Sequence, residues 1–296
     1  MRSWLFVPGD SEKKLTKAFS GEADVLIVDW EDSVAPSQKA QARKVTADAI
    51  DGAGGSTAAK LFVRVNALGS AEFDDDIAAL SGIAPDGVVL PKSTCGADVT
   101  ALASRLSVAE AEGGIDDGHI RIAAIATETA GSLFQLGSYR GASARLCGLA
   151  WGAEDLSADL GAEERRGEGG EYTDIYRMAR VLCLAGAVAA DVQPIDTVFT
   201  DFKDDAGLEA ETENARRDGF TGKLAIHPAQ VPVINRVFTP SEAAIRHAEM
   251  VVATFASATH KGVVSLDGKM LDRPHLKQAE RILARAKAIE RQSSRR

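Results

Sequence analysis

Two acidic residues occupy matching places in two apolar segments of the chain. Glu128 ends the segment IRIAAIATE (120–128), and Asp155 follows the segment ARLCGLAWG (144–152). The two acids are 27 positions apart, which is about the length of one strand–helix unit. We therefore expect them to stand side by side at the ends of adjacent parallel strands.

Two neighbouring carboxylates in a dry site raise each other's pKa unless a cation lies between them. No cysteine cluster accompanies Glu128 and Asp155, and the chain has few histidines. Oxygen ligands without nitrogen or sulfur favour a hard cation such as Mg²⁺, which keeps some of its positions for water and substrate. The pair therefore predicts a magnesium site with open positions. We interpret the nearby Glu154 as pointing away from the metal and Asp159 as a loop or helix-cap residue.

Arg64 lies in FVRVN, where apolar residues flank it on both sides. A buried guanidinium needs an acidic partner or an anionic ligand, and its forked geometry suits a carboxylate or an oxyanion. Two interpretations remain open. Arg64 grips a substrate, or it forms a structural ion pair with Glu31 or Asp32.

Lys13 and Lys17 are four positions apart in SEKKLTKAF, which has a helical pattern. Residues at this spacing share one face of a helix. The ordinary interpretation is a solvated face. The alternative is a two-point grip on the phosphates of a ligand.

Bulk composition narrows the class of partner. The chain has 296 residues and a formal net charge of −9, so we expect no binding to nucleic acid. Three cysteines, Cys95, Cys147 and Cys183, form no C-x-x-C pair and indicate reduced thiols in a cytoplasmic protein. Apolar runs are too short for a signal peptide or a membrane span, so we expect neither.

Eight short apolar runs predict strands buried on both faces. They cover residues 3–9, 23–32, 60–66, 86–92, 120–128, 144–152, 194–201 and 222–228. Segments with helical periodicity separate most of them, and the alternation over about 240 residues predicts a (β/α)8 barrel. A doubly wound open sheet is the alternative, although no G-x-G-x-x-G follows the first strand. Most runs end in polar or turn-forming residues, and in a barrel these ends form one functional rim.

The pattern changes after residue 238, so we divide the chain into a catalytic barrel, 1–238, and a C-terminal segment, 239–296. The segment predicts a helix that starts near Pro240 and Ser241, a turn-rich connector, VVSLDGKMLDRP, and an amphipathic helix, HLKQAERILARAKAIERQ. We expect this segment to act as a lid or a surface appendage.

Several motifs together resemble one known family. They are RSWLFVPGDSEKKLTKA, VLIVDWEDSVAPSQKAQAR, FVRVN, VVLPK, IATETAGS, GLAWGAEDLSADLGA, GFTGKLAIHPAQV and LDGKMLDRPHLKQA. In order, and over essentially the whole chain, they resemble the citrate lyase beta subunit-like family of the HpcH/HpaI aldolase superfamily. Malyl-CoA lyases and citramalyl-CoA lyases belong to that group. The resemblance implies a (β/α)8 barrel, trimers or hexamers, Mg²⁺, and cleavage or formation of a C–C bond next to a thioester.

The resemblance also implies roles for individual residues. Glu128 and Asp155 match the metal ligands, and Arg64 matches the arginine that binds the substrate carboxylate and carbonyl. Glu31 and Asp32 match an acidic pair near the metal.

For the CoA moiety, the resemblance implies contacts from five residues: Phe6, Lys13, Lys17, Ile226 and His227. Some members have tyrosine where this chain has Phe6, so one CoA contact is expected to be weaker here. Asp272 matches an aspartate that reaches the barrel of a neighbouring subunit and acts there as acid or base. The C-terminal segment would then be a lid.

The implied reaction is Mg²⁺-dependent cleavage or formation of a 3-hydroxyacyl-CoA such as citramalyl-CoA or malyl-CoA. Its products are an acyl-CoA and a 2-oxo acid, pyruvate or glyoxylate. Alternatives within enzymes are a malyl-CoA thioesterase, a citrate lyase beta subunit that acts on an acyl-carrier thioester, and a CoA-independent class II aldolase for 2-oxo acids. A non-catalytic CoA-binding protein is the alternative outside enzymes.

Overall fold

The computed structural model describes residues 1–53, 57–258 and 262–293. The chain divides into two compact units, Met1–Asn235 and Arg236–Arg296, whereas the sequence analysis placed the boundary after residue 238. Among the described residues, no helix is both long and apolar enough to cross a membrane.

The first unit contains eight parallel strands that close into a barrel in chain order. The strands are β1 Ser3–Pro8, β2 Val25–Asp29, β3 Lys60–Arg64, β4 Gly87–Leu90, β5 Arg121–Ile125, β6 Leu146–Ala150, β7 Gln193–Asp196 and β8 Gly222–Ala225. Pairing of β8 with β1 closes the circle. The predicted (β/α)8 barrel is confirmed, and the open sheet is wrong.

Helices connect most of the strands. They are α1 Glu12–Phe19, α2 Lys39–Ala53, α3 Phe73–Ile83, α4 Gly96–Gly113, α5 Glu154–Leu160, α6 Asp174–Ala189, α7 Asp205–Asp218 and α8 Gln230–Phe238. Two short 3-10 turns, Gly131–Phe134 and Leu136–Tyr139, lie between β5 and β6. The stretch after β6 thus begins with α5, which carries the predicted metal ligand Asp155 in its first turn.

The period-two alternation of strands decides which side chains reach the mouth of the barrel. Trp4, Ile27 and Phe62 belong to the buried cluster that fills the barrel, and the rings of Trp4 and Phe62 meet edge to face at 5.0 Å. Two positions further along these strands, the same inward face carries Phe6, Asp29 and Arg64, and all three line a cavity. The core residues therefore set the direction of the polar residues above them.

The second unit continues with α9 Glu242–Ser257, β9 Val263–Leu266, β10 Lys269–Asp272 and α10 Arg273–Ser293. The predicted cap of α9 is confirmed, because the Ser241 hydroxyl accepts a hydrogen bond from the Ala244 N–H at 3.2 Å. Part of the segment predicted as this helix, residues 259–261, lies outside the described residues.

The predicted turn-rich connector, VVSLDGKMLDRP, contains regular secondary structure on both sides of its turn. The segment forms an antiparallel hairpin of β9 and β10. Its two turn residues, Asp267 and Gly268, both have positive φ, at 50° and 75°, as a type I′ hairpin turn requires. Val264 and Leu271 then pack in a small core with residues of α9 and α10.

Close packing inside the barrel gives the first test. A Cβ at Gly87 would meet the Phe62 ring and come within 2.8 Å of the Arg121 carbonyl oxygen. We expect Gly87→Ala to lower the free energy of unfolding by about 1–3 kcal/mol, measured as a shift of the urea midpoint. Gly82→Ala is the matched control, since no heavy atom lies within 4 Å of its Cβ position. Equal midpoints for the two variants would contradict the packing argument.

Candidate metal centre and active site

The carboxyl ends of the strands surround a cavity of about 340 Å³. Five acidic residues line it: Asp29, Asp32, Glu128, Glu154 and Asp155. Arg64 is its cationic lining residue, and apolar walls come from Phe6, Ile125, Val198, Leu224 and Ile226. The cavity thus combines an excess of negative charge with an apolar side, as sites for small organic acids with a cation would require.

Glu128 and Asp155 meet in this cavity. Glu128 is 4% exposed, and its side chain is hydrogen-bonded to that of Asp155. Burial, together with the charges of Asp155 and Glu31, raises the pKa of Glu128 to about 8 against the lowering effect of the Lys92 N–H. The two acids predicted to stand side by side do so, and Glu128 lacks enough nearby positive charge to ionise at its usual pH.

Local backbone geometry makes room for this arrangement. A Cβ at Gly152 would lie 2.7 Å from Glu128 Cγ and 3.2 Å from Ile125 Cγ2. Glycine at this position therefore lets the Glu128 side chain cross over the end of β6. Lys92, in turn, has a left-handed backbone with φ 51°, and its N–H donates to Glu128 Oε2.

Arg64 is held mainly by a residue that the sequence analysis did not select. Its Nε and Nη2 donate to Asp29 Oδ1 and Oδ2, both at 2.7 Å, and its Nη1 lies 2.9 Å from Glu31 Oε2. Burial opposes ionisation of Asp29, but the hydrogen bonds and charge of Arg64 hold the pKa of this carboxyl below its usual value. Of the two acids considered as a structural partner of Arg64, Glu31 forms the ion pair, whereas Asp32 pairs with Lys92.

Lys92 is the second residue that the sequence analysis missed. Its Nζ contacts Glu31 Oε1 and lies 3.1 Å from Asp32 Oδ2 and 3.8 Å from Asp155 Oδ1. Burial opposes the charged form of Lys92, yet the carboxylates around it, led by Glu31, raise its pKa. The available signal was its place at the end of VVLPK, because β4 delivers it to the same rim as the acids.

The other two acids of the Asp155 segment have separate tasks. Glu154 forms an ion pair with Arg165. Asp159 lies within α5 and accepts a hydrogen bond from the Ala130 N–H at 2.7 Å. Since Ala130 follows Glu128 closely in the chain, Asp159 ties the backbone that carries one acid of the pair to the helix that carries the other.

The residues expected to contact CoA are not all brought together. Phe6 and Ile226 line the cavity, and the Arg64 guanidinium lies 4.8 Å from the centre of the Phe6 ring. His227 stacks on Phe202 with ring centres 5.0 Å apart and is not a lining residue.

Lys13 and Lys17 lie on α1 and are exposed. No described residue forms an ion pair with either of them. Asp272 belongs to the second unit, at the end of β10.

The donor set fits a hard divalent cation. Within the described residues, no group of three or more His, Cys, Asp or Glu could hold a metal ion. The available set is therefore a carboxylate pair, Glu128 and Asp155, and Mg²⁺ is commonly bound by one or two carboxylates with water or substrate in its other positions. A cation at this pair would also stabilise the ionised form of Glu128, which burial and the neighbouring carboxylates disfavour.

Residues 2–228 match the model of the family described as HpcH/HpaI aldolase/citrate lyase. The chain belongs to this family. The resemblance inferred from the motifs is thereby confirmed.

Three relatives are similar over nearly their whole length. A citrate lyase subunit beta-like protein of Mycobacterium tuberculosis is 36% identical over 96% of this chain and 94% of its own. A (3S)-malyl-CoA thioesterase of Cereibacter sphaeroides is 34% identical over 97% and 95%. An L-malyl-CoA/beta-methylmalyl-CoA lyase of Cereibacter sphaeroides is 32% identical over 97% and 95%.

A solved structure is also similar. The protein CitE of Mycobacterium tuberculosis, in complex with magnesium, acetoacetate and coenzyme A, aligns with a TM-score of 0.76 and 34% identity. The alignment covers 97% of this chain and 98% of that one.

The close approach at Gly152 gives a test of the carboxylate pair. We expect Gly152→Ala to push Glu128 aside and weaken Mn²⁺ binding at least about tenfold, measured by the electron paramagnetic resonance signal of free Mn²⁺. Gly131→Ala, in the loop that follows Glu128, has no heavy atom within 4 Å of its Cβ position and should bind Mn²⁺ normally. Normal binding by Gly152→Ala would refute this role of the glycine.

The raised pKa of Glu128 gives a test by pH. Below about pH 8 the Glu128 carboxyl holds a proton, and a metal ion must displace it. Apparent Mn²⁺ affinity should therefore rise by up to about tenfold per pH unit between pH 6 and 8 and then level off, as isothermal titration calorimetry would show. In Glu128→Gln the weaker binding that remains should lose this slope. A flat wild-type profile would contradict the assignment.

Proposed function

We propose that this protein is a Mg²⁺-dependent carbon–carbon lyase that acts on a 3-hydroxyacyl-CoA bearing a carboxylate, such as citramalyl-CoA or malyl-CoA. The products would be an acyl-CoA and a 2-oxo acid, pyruvate or glyoxylate. The observation that carries the proposal is the cavity at the barrel mouth, because the Glu128–Asp155 pair and Arg64 all line it. The relatives that are named for citrate lyase and malyl-CoA lyase support it.

Glu128 and Asp155 are the residues that would hold Mg²⁺. Bound there, the ion would supply Lewis-acid polarisation of the substrate oxygens. The complex of the similar CitE with magnesium, acetoacetate and coenzyme A supports both the cation and the CoA ligand.

Arg64 would bind the substrate carboxylate and the oxygen that gains negative charge as the C–C bond breaks. The two hydrogen bonds that Arg64 donates to Asp29 fix the guanidinium plane before substrate arrives, and such preorganised donors stabilise developing charge without reorganising. Glu31 and Asp32 would act one step away. Both contact Lys92, and Lys92 also approaches Asp155. This lysine would therefore hold the three acidic side chains in fixed positions relative to one another.

Asp272 would protonate the enolate carbon of the departing acyl-CoA and would remove that proton in the condensation direction. As in the family that the motifs resemble, it would do so in the barrel of a neighbouring subunit of a homotrimer or homohexamer. Lys13 and Lys17 would bind phosphates of CoA, because both are exposed and form no ion pair with any described residue. Phe6 and Ile226 would line the path of the acyl arm. His227, which does not line the cavity, would contact the CoA from outside it.

Thioester hydrolysis is the second candidate, favoured by the (3S)-malyl-CoA thioesterase that is 34% identical. The same cavity would serve both outcomes, since each begins by holding a carboxylated acyl-CoA. They differ in the bond that breaks, and only hydrolysis releases a free thiol.

A substrate panel separates these functions. Pyruvate, glyoxylate and oxaloacetate are each combined with Mg²⁺ and acetyl-CoA, propionyl-CoA, an acetyl acyl-carrier protein or no thioester, and C–C bond formation is followed. Malyl-CoA and citramalyl-CoA are supplied for the reverse direction, in which C–C cleavage and free thiol are followed. We expect reversible C–C exchange with pyruvate or glyoxylate and none without Mg²⁺. Free thiol without exchange would show a thioesterase, and exchange without CoA would show an aldolase. Exchange with acyl-carrier thioesters alone would show a citrate lyase subunit, and CoA binding without turnover would show a binding protein.

In the same assay, Asp155→Ala should abolish Mg²⁺-dependent turnover, a loss of about a thousandfold or more, with an unchanged circular dichroism spectrum. Near-normal turnover in this variant would remove Asp155 from the metal site. Glu209→Ala, on helix α7 and outside the cavity lining, controls for the loss of one acidic charge and should keep full activity.

A further inference from the structure

A short contact joins Asp272 to a histidine at the start of the last helix. Asp272 ends β10, α10 begins with Arg273, and His275 lies in the first turn of that helix. Asp272 Oδ1 and His275 Nδ1 are 2.5 Å apart. Two such atoms stay this close only when a proton lies between them.

His275 Nδ1 has a second neighbour. The backbone N–H of Asp272 donates to it at 3.2 Å. One ring nitrogen cannot donate and accept at the same time. When the imidazole is charged, Nδ1–H donates to Oδ1. When the imidazole is neutral, with its proton on Nε2, Nδ1 accepts from the Asp272 N–H. The two contacts therefore describe the two protonation states of one ring, and neither state leaves Nδ1 unpaired.

A helix cap is the simpler explanation of one of these contacts. A side chain in the first turn that accepts the N–H of the residue before the helix forms half of a capping box, and Glu or Gln is the usual residue there. Capping needs only an acceptor. Capping alone does not explain why a nitrogen that can donate a proton lies against the Asp272 carboxylate. The Oε of a Glu or Gln at this position could accept the N–H but could not donate such a proton.

Among the described residues, the other titratable groups of this unit form no ion pair with Asp272 or His275. On α9 these groups are Glu242, Arg246, His247 and Glu249. The strand β9 that pairs with β10 reads VVSL and carries no titratable group. Lys269 lies at the far end of β10, and Arg273 and Lys277 lie on α10. Among the described residues, His275 is the ion-pair partner of Asp272. Both side chains are about half exposed, at 46% and 50%, so water can reload the ring.

We propose that His275 is the proton relay of Asp272. The inference rests on the proposed lyase function, in which Asp272 is the acid and base. In cleavage, the Nδ1 proton of the imidazolium passes to the Asp272 carboxylate at Oδ1, and the carboxylic acid so formed then gives that proton to the enolate carbon. One C–H bond forms, the carboxylate is regenerated, and the imidazole becomes neutral. One proton from water then restores the imidazolium. In condensation each transfer runs in reverse.

The relay predicts a pH profile that a cap would not. An unperturbed imidazolium keeps its proton to a pH more than two units above that of an unperturbed carboxylic acid, about 6.5 against about 3.9. His275→Ala and His275→Gln should therefore both lose about tenfold to a hundredfold in kcat for cleavage near neutral pH, with KM for the CoA thioester within about twofold of wild type. The pH above which cleavage declines should fall by at least about one unit in both variants.

His275→Gln is the matched control, because Gln keeps the acceptor that a cap needs and lacks the transferable proton. If Gln restores the wild-type rate and pH profile while Ala does not, His275 is only a cap and the relay is refuted. Wild-type exchange in the substrate panel would leave the lyase function standing in that case.

A second readout does not depend on turnover. In the full-length protein labelled with ¹⁵N at histidine, with His275 assigned from the spectrum of His275→Gln, the Nδ1 chemical shift of His275 at neutral pH should differ between Asp272→Asn and wild type, because the carboxylate is the partner of Nδ1. An identical Nδ1 shift would refute the pair itself. If wild type shows no lyase activity with any acid of the panel, the lyase function and the relay with it are refuted, while this spectrum still decides whether the two side chains share a proton.

Discussion

Crowding of negative charge at one end of the barrel is the constraint on which the site depends. Six carboxylates converge there, from Asp29, Glu31, Asp32, Glu128, Glu154 and Asp155. Two side-chain cations face them from inside this group, Arg64 and Lys92. Arg64 is enough to keep Asp29 ionised, but the buried Glu128 is not compensated. A dry site with an uncompensated carboxylate costs stability unless a cation joins it, which is why the cavity is suited to a divalent ion.

The barrel makes this crowding possible. Because the barrel is closed and its interior is packed, each strand is fixed in orientation, and the polar side chains at its carboxyl end cannot turn away from the mouth. The strands deliver side chains to the mouth in strict alternation, and the packed Trp4, Ile27 and Phe62 below fix the direction of that alternation. Gly152 supplies the remaining space, since any side chain there would collide with Glu128. Rigid elements of this kind hold catalytic groups to a fraction of an ångström, as a preorganised site requires.

A buried ionic network on the outer face of the sheet supports the same end of β6. Lys223 is fully buried, and its Nζ lies 2.7 Å from Asp196 Oδ2. Asp196 Oδ1 also accepts a hydrogen bond from Trp151 Nε1 at 2.7 Å. Trp151 directly precedes Gly152, so this network anchors the strand end from which the Asp155 helix starts. Removing one partner of such a pair would leave a buried charge alone, which is far more costly than replacing both.

The amino-acid sequence by itself determined the fold class and the main pair of acids. Eight buried apolar runs alternating with helical segments admit few topologies, and the spacing of Glu128 and Asp155 places them just beyond the ends of neighbouring strands of a parallel barrel. Tertiary structure alone decided the partners. Arg64 pairs with Asp29 because these residues stand opposite each other in the register of β2 and β3, and register is a relation between strands that no local pattern encodes. Likewise, the left-handed backbone that turns the Lys92 N–H onto Glu128 exists only because the surrounding barrel holds it.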